Sequence, residues 1–113
     1  MNPIVEKLES RLADGTGVYV HDPIDPVVYF SELAEDIKRN ACEPFQLSAT
    51  AVAPGFPHIS DGVRISGFCV AKSDGYWLVY RPEDDTFYAF WGSDKENLGA
   101  PGIFGPPLYC WSA

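Results

Sequence analysis

Apolar residues recur at helical spacing near the start of the chain. Val5, Leu8 and Leu12 fall three and four positions apart with Ile4 beside them, and Glu6, Lys7, Glu9 and Arg11 occupy the other positions. Asn2 before Pro3 supplies a capping side chain and then proline at the first helical position, and Gly15 supplies a stop. A helix is predicted over 3–13. Residues 17–21 form a short β-type run, ended by Asp22-Pro23 because a residue before proline is pushed out of the α region. Asp25-Pro26 repeats the cap and the proline. Phe30, Leu33, Ala34 and Ile37 then make an apolar stripe with Glu32, Glu35 and Asp36 facing away, while Lys38 and Arg39 suit the helix C-terminus. The second helix is predicted over 26–41.

After Pro44 the period changes to that of a strand. Phe45, Leu47, Ala49, Ala51 and Ala53 share one face, and the small alanines invite a closely packed helix there. A Pro/Gly loop over 54–62 precedes three further strands, over 63–72, 76–81 and 86–91. Ser73-Asp74-Gly75 and the polar loop 82–85 join them into an antiparallel meander. Ser93-Asp94-Lys95-Glu96 has the form of a capping box and predicts a helical turn reaching Leu98. In the tail, Pro101, Gly102, Gly105, Pro106 and Pro107 exclude a long helix, whereas Ile103, Phe104, Leu108, Tyr109 and Trp111 need a cover. The tail is therefore expected to pack on the sheet or to add a strand near 108–111. Helices first and strands after describe an α+β domain. Two N-terminal helices pack on a roughly five-stranded, mainly antiparallel sheet with an ordered tail.

The 113 residues make one domain, large enough to bury a core without staples. Sixteen acidic against eight basic residues leave a formal charge of −8, which repels nucleic acid and anionic lipid and attracts a basic partner. The first residues lack a basic and apolar leader, and no apolar run approaches a membrane span, so a cytoplasmic location is expected.

Chemistry is sparse. His21 stands beside Asp22 and Asp25, but both carboxylates precede prolines and read as turn and cap residues. His58 lies in the Pro/Gly loop. Cys42, Cys69 and Cys110 are odd in number and form no C-x-x-C, so reduced thiols are expected; a Cys69–Cys110 bridge stays open, as does the role of Cys110. The chain has neither a nucleophile elbow nor a phosphate loop, and no metal-ligand spacing. No catalytic residue, metal or cofactor is assigned.

The aromatic meander is the most distinctive feature. Tyr76, Leu78 and Tyr80 share a face on one strand, and Phe87, Ala89 and Trp91 share one on the next. Both faces of this hairpin carry large rings. One is expected to lie under the helices, and the other under the tail or a partner. Trp77 and Trp91, with the acidic groups Glu32, Glu35, Asp36, Glu83, Asp84 and Asp85, are the candidate partner-binding residues.

In size, acidity, element order and aromatic content the whole chain resembles the small immunity proteins of bacterial polymorphic and contact-dependent toxin systems. That resemblance implies a non-enzymatic, protein-binding function in which an acidic surface covers a toxin, often a basic nuclease. Two other readings stand beside it. One is a small enzyme or small-molecule-binding module with a pocket between helices and sheet, lined by His21, Asp22, Arg64, Tyr80 and Arg81. The other is a structural homo-oligomer, such as a homodimer, that buries the aromatic face against its own copy.

Overall fold

The computed structural model describes residues 2–113. Asn2 starts helix α1 (Pro3–Ser10): its side-chain oxygen accepts from the Ile4 N–H at 2.9 Å and the Val5 N–H at 3.4 Å. Asp25 does the same for helix α2 (Pro26–Asn40), accepting from the Val27 N–H at 2.9 Å. Both prolines sit where a missing N–H costs nothing. Ala41 turns extended, and α2 passes without a loop into strand β1 (Ala41–Ala51).

Strands β1, β2 (Arg64–Ser73), β3 (Tyr76–Arg81) and β4 (Thr86–Trp91) form the expected antiparallel meander. The short β5 (Gly99–Ala100) then runs parallel to β1 and meets β4 at Trp91, closing the strands into a ring. β6 (Phe104–Gly105) covers the start of the same β4 edge, and helix α3 (Pro107–Ser112) ends the chain.

Ring closure gives the domain two cores. The inner one holds Leu47, Ala49, Ala51, Ile65, Cys69, Val79, Tyr88, Phe90, Leu98 and Ala100, with Phe56 plugging one side. The outer one lies under the helices. Leu8 and Leu12 from the first helical region, Ile37 from α2, and Leu108 and Cys110 from α3 pack on Val70, Ala71, Leu78, Tyr80, Phe87 and Ala89. Both aromatic faces of the β3–β4 hairpin are thus covered by the chain itself, except at Trp91, which is exposed. The loop after β1 is held on the tail by Gly102 (φ +120°), where a Cβ would lie 2.3 Å from the Gly55 carbonyl oxygen; only glycine allows that approach.

Several local expectations are corrected. Residues 17–21 form no strand: the Val18 N–H closes a turn on the Gly15 carbonyl at 3.1 Å, and Tyr19 and His21 stay exposed in the α1–α2 loop. The first helix stops at Ser10 and continues only as turns through Ala13. The second ends at Asn40, one residue early, because Ala41 already belongs to β1. That strand starts ahead of Pro44, which is tolerated inside a shift of register between the Ala41↔Ala71 and Phe45↔Cys69 pairs. Ala49 and Ala51 face the interior of the ring rather than a helix, packed among the larger Tyr88 and Phe90, whereas Ala53 lies past the end of β1 in an exposed turn.

Asp94, not Ser93, organises the next turn. Its carboxylate accepts from the Glu96 N–H at 3.0 Å and its carbonyl from the Asn97 N–H at 2.9 Å. A β-turn results instead of a helical turn, because the chain must return at once to pair Gly99 with Trp91. Residues 108–111 are helical rather than extended. Pro106 and Pro107 stand at the helix start, and the Cys110 N–H donates to the Pro106 carbonyl at 3.1 Å.

Candidate functional site

The acidic hairpin loop is a structural clamp. Residues 82–85 reverse the chain with the Asp85 N–H on the Pro82 carbonyl, and Asp85 adopts a left-handed φ of +53°. Its carboxylate accepts from the Tyr80 hydroxyl and, at 2.6 Å, from Arg11, whose second nitrogen donates to the Asp85 carbonyl at 2.8 Å; Lys7 stands 3.4 Å away. The end of α1 is pinned to the hairpin tip in this way. Asp84 accepts from the Tyr88 hydroxyl and from Arg81 at 3.0 Å, and His58 Nε2 lies 2.8 Å from the same Tyr88 hydroxyl. Glu83 is the most exposed of the three loop carboxylates and pairs with Arg81 at 3.0 Å.

The Tyr80 hydroxyl, then Arg11 and Lys7, hold the Asp85 carboxyl down to about 2 from its ordinary 3.8. A folded value below the unfolded one stabilises the protein above the ordinary value. That contribution is lost as pH falls through about 2. Asp85→Asn is therefore expected to flatten the fall of the urea midpoint between about pH 4 and about pH 2. Parallel wild-type and variant curves would show that the clamp does not couple to folding.

Four exposed apolar side chains lie elsewhere, between the α1–α2 loop and the first turn of α2. Tyr19 is 74% exposed, Val27 72%, Val28 51% and Ile24 48%. The Asp25 cap and Pro26 fix where α2 begins, and the inward stripe of Phe30, Leu33, Ala34 and Ile37 fixes its rotation. Val27 and Val28 precede the first stripe residue and extend past the outer core. Two shallow grooves flank them. One of about 350 Å³ includes Leu12, Val27, Phe30, Ala34 and Glu35; the other, of about 420 Å³, includes Val27, Val28, Ser31, Glu32, Glu35 and Arg39. The exposed carboxylates of Asp22, Asp25, Glu32 and Glu35 belong to the same segment, and the nearest cations along α2, Lys38 and Arg39, are paired with Glu35 and Asp36.

Glu32 and Glu35 thus lie on this apolar surface. Asp36 is partly committed to the fold, accepting from the Trp111 indole N–H at 2.7 Å as well as from Arg39. Trp111 leads on to Tyr76 (ring centroids 5.6 Å apart) and Tyr76 to Trp91 (6.1 Å), which is 42% exposed. Trp77 is half-buried at the rim of the inner core, donating its indole N–H to the Gly92 carbonyl at 2.9 Å. Glu83, Asp84 and Asp85 stand at the opposite end of the hairpin from Trp91, since Arg81 pairs with Thr86 and Tyr76 with Trp91. The hairpin loop is held on Arg11, and the next residue, Leu12, lines the groove beside Val27 and Glu35.

Sequence reasoning missed Tyr19, Ile24, Val27 and Val28. Their signal was a pair of valines directly behind a proline cap, ahead of the stripe that a packed helix needs. The pocket-lining set does not converge. Arg64 reaches Thr50 at 3.3 Å, Tyr80 and Arg81 serve the hairpin clamp, and His21 stacks edge-on with Tyr19 in the α1–α2 loop. Among the described residues, no group of three or more His, Cys, Asp or Glu could hold a metal, and no helix is long and apolar enough to cross a membrane. No family model matches the chain, and no similar protein is found among curated proteins or solved structures.

Proposed function

We propose that this chain is a non-enzymatic protein-binding domain of the immunity-protein kind, one that covers a basic toxin domain. The observation that carries the reading is the surface around Val27 and Val28, exposed apolar side chains beside Glu32 and Glu35, with Lys38 and Arg39 paired to carboxylates of the same helix, on a chain of charge −8. Apolar anchors inside a charged rim provide affinity at the centre and steering at the edge. A second copy of the chain is a poor occupant, because its own Glu32 and Glu35 would be brought near the same carboxylates.

The test is a tagged capture from the native host, with the partner identified, purified and titrated at low and raised salt. A strongly basic protein is expected, with an association rate that falls steeply as salt rises. Glu32→Lys with Glu35→Lys should slow association by roughly tenfold or more at low salt. Glu83→Lys should leave it nearly unchanged, and it avoids the fold damage that reversing Asp84 or Asp85 would cause. A partner whose binding ignores both salt and the α2 carboxylates, or the absence of any partner, would overturn the reading.

A further inference from the structure

We propose that Cys42 and Cys69 are a thiol pair that a hydroperoxide oxidises to a disulfide. The inference is independent of the binding surface. Cys42 lies in the irregular start of β1, where the register with β2 shifts, and its Sγ stands 4.0 Å from the Sγ of Cys69 on the neighbouring strand. All three cysteines are free thiols. A disulfide needs about 2.05 Å between sulfurs, so the two sulfurs must approach by about 2 Å, across strands that are already paired.

The two thiols differ in the way a sequential oxidation requires. Cys42 is half-buried and within reach of a small oxidant, whereas Cys69 is wholly buried. Burial pushes the Cys69 thiol up, and the neighbouring Cys42 adds to this, so Cys69 is a poor target for the oxidant and Cys42 is the sulfur oxidised first. The Cys42 thiolate attacks one peroxide oxygen, the O–O bond breaks, and the departing hydroxide takes a proton to become water. Cys42 is left as a sulfenic acid. The Cys69 sulfur then attacks the Cys42 sulfur, the S–O bond breaks, and the hydroxyl leaves as water with the Cys69 proton. Two thiols have lost two hydrogens, and one hydrogen peroxide has become two waters. The link ties the residues immediately after α2 to the middle of β2. Cys110 is an internal control: it is buried in the outer core with its thiol on the Phe87 carbonyl, on a different core from the pair.

The test treats the folded full-length protein with hydrogen peroxide, removes the excess with catalase, and counts thiols after unfolding. Titratable thiols should fall from three to one, with a non-reduced peptide joining Cys42 to Cys69 and with Cys110 free. Cys42→Ser should keep both remaining thiols through the same treatment. Cys69→Ser should stop Cys42 at a sulfenic acid that dimedone traps; Cys69→Ala replaces it where serine is not tolerated in the core. The oxidised wild type should also melt at a higher temperature than the reduced protein. Three thiols surviving peroxide that consumes free glutathione, Cys42 passing to sulfinic acid with Cys69 still free, or a bridge involving Cys110 would each overturn the proposal.

Discussion

Replacing Ile37 with alanine is expected to cost about 2–5 kcal/mol of folding stability, the range for truncating a large aliphatic side chain in a packed core. Ile37 is the one fully buried residue of α2 and sits among Leu8, Leu12, Leu78 and Leu108. Contacts from α1, α2, α3 and the sheet meet there, so the cavity has no mobile neighbour to fill it. Urea unfolding followed by tryptophan fluorescence reads the change as a lower midpoint at similar slope. The same truncation at Val27, which is exposed, should stay within about 0.5 kcal/mol. A midpoint unmoved by Ile37→Ala would mean that α2 is not docked as described, and the surface it presents would lose its basis.

The second large effect concerns binding. Val27→Asp together with Val28→Asp should weaken the purified partner's affinity by at least about 2 kcal/mol, roughly thirtyfold, because a carboxylate at an apolar contact must be desolvated without a pairing group. Stability should change by no more than about 0.5 kcal/mol, since both positions are exposed and acidic side chains suit the first turn of a helix. Calorimetric titration beside a urea melt separates the two readouts. Full affinity in the double variant would move the contact away from the start of α2, and Trp91→Ala would then ask whether it lies at the exposed Trp91 ring.

Local patterns carried much of the architecture. The Asn2 and Asp25 caps, each followed by proline, placed both helix starts, because capping is a contact between near neighbours in the chain. The strands from Tyr76 to Arg81 and from Thr86 to Trp91 were legible to the residue, since alternation and a four-residue polar loop bound them on both sides. The six acidic candidates were legible as charge, yet their roles were not. Asp84 and Asp85 look like solvated loop residues until Tyr88, Arg81, Tyr80 and Arg11 are brought to them by pairing and by the docking of α1.

Sequence by itself determined the α+β class, the starts of α1 and α2, the order of the meander and the overall acidity, all of which depend on neighbours within a few residues or on sums over the chain. Tertiary structure decided the closing of the sheet through Gly99–Ala100, which turned Ala49 and Ala51 inward. It also decided that the tail ends in a helix over the outer core, that Cys69 faces Cys42 rather than Cys110, and that Val27 and Val28 remain uncovered. Each of these turns on which distant segments meet, and a periodic pattern says which face of an element is apolar without saying what will cover it.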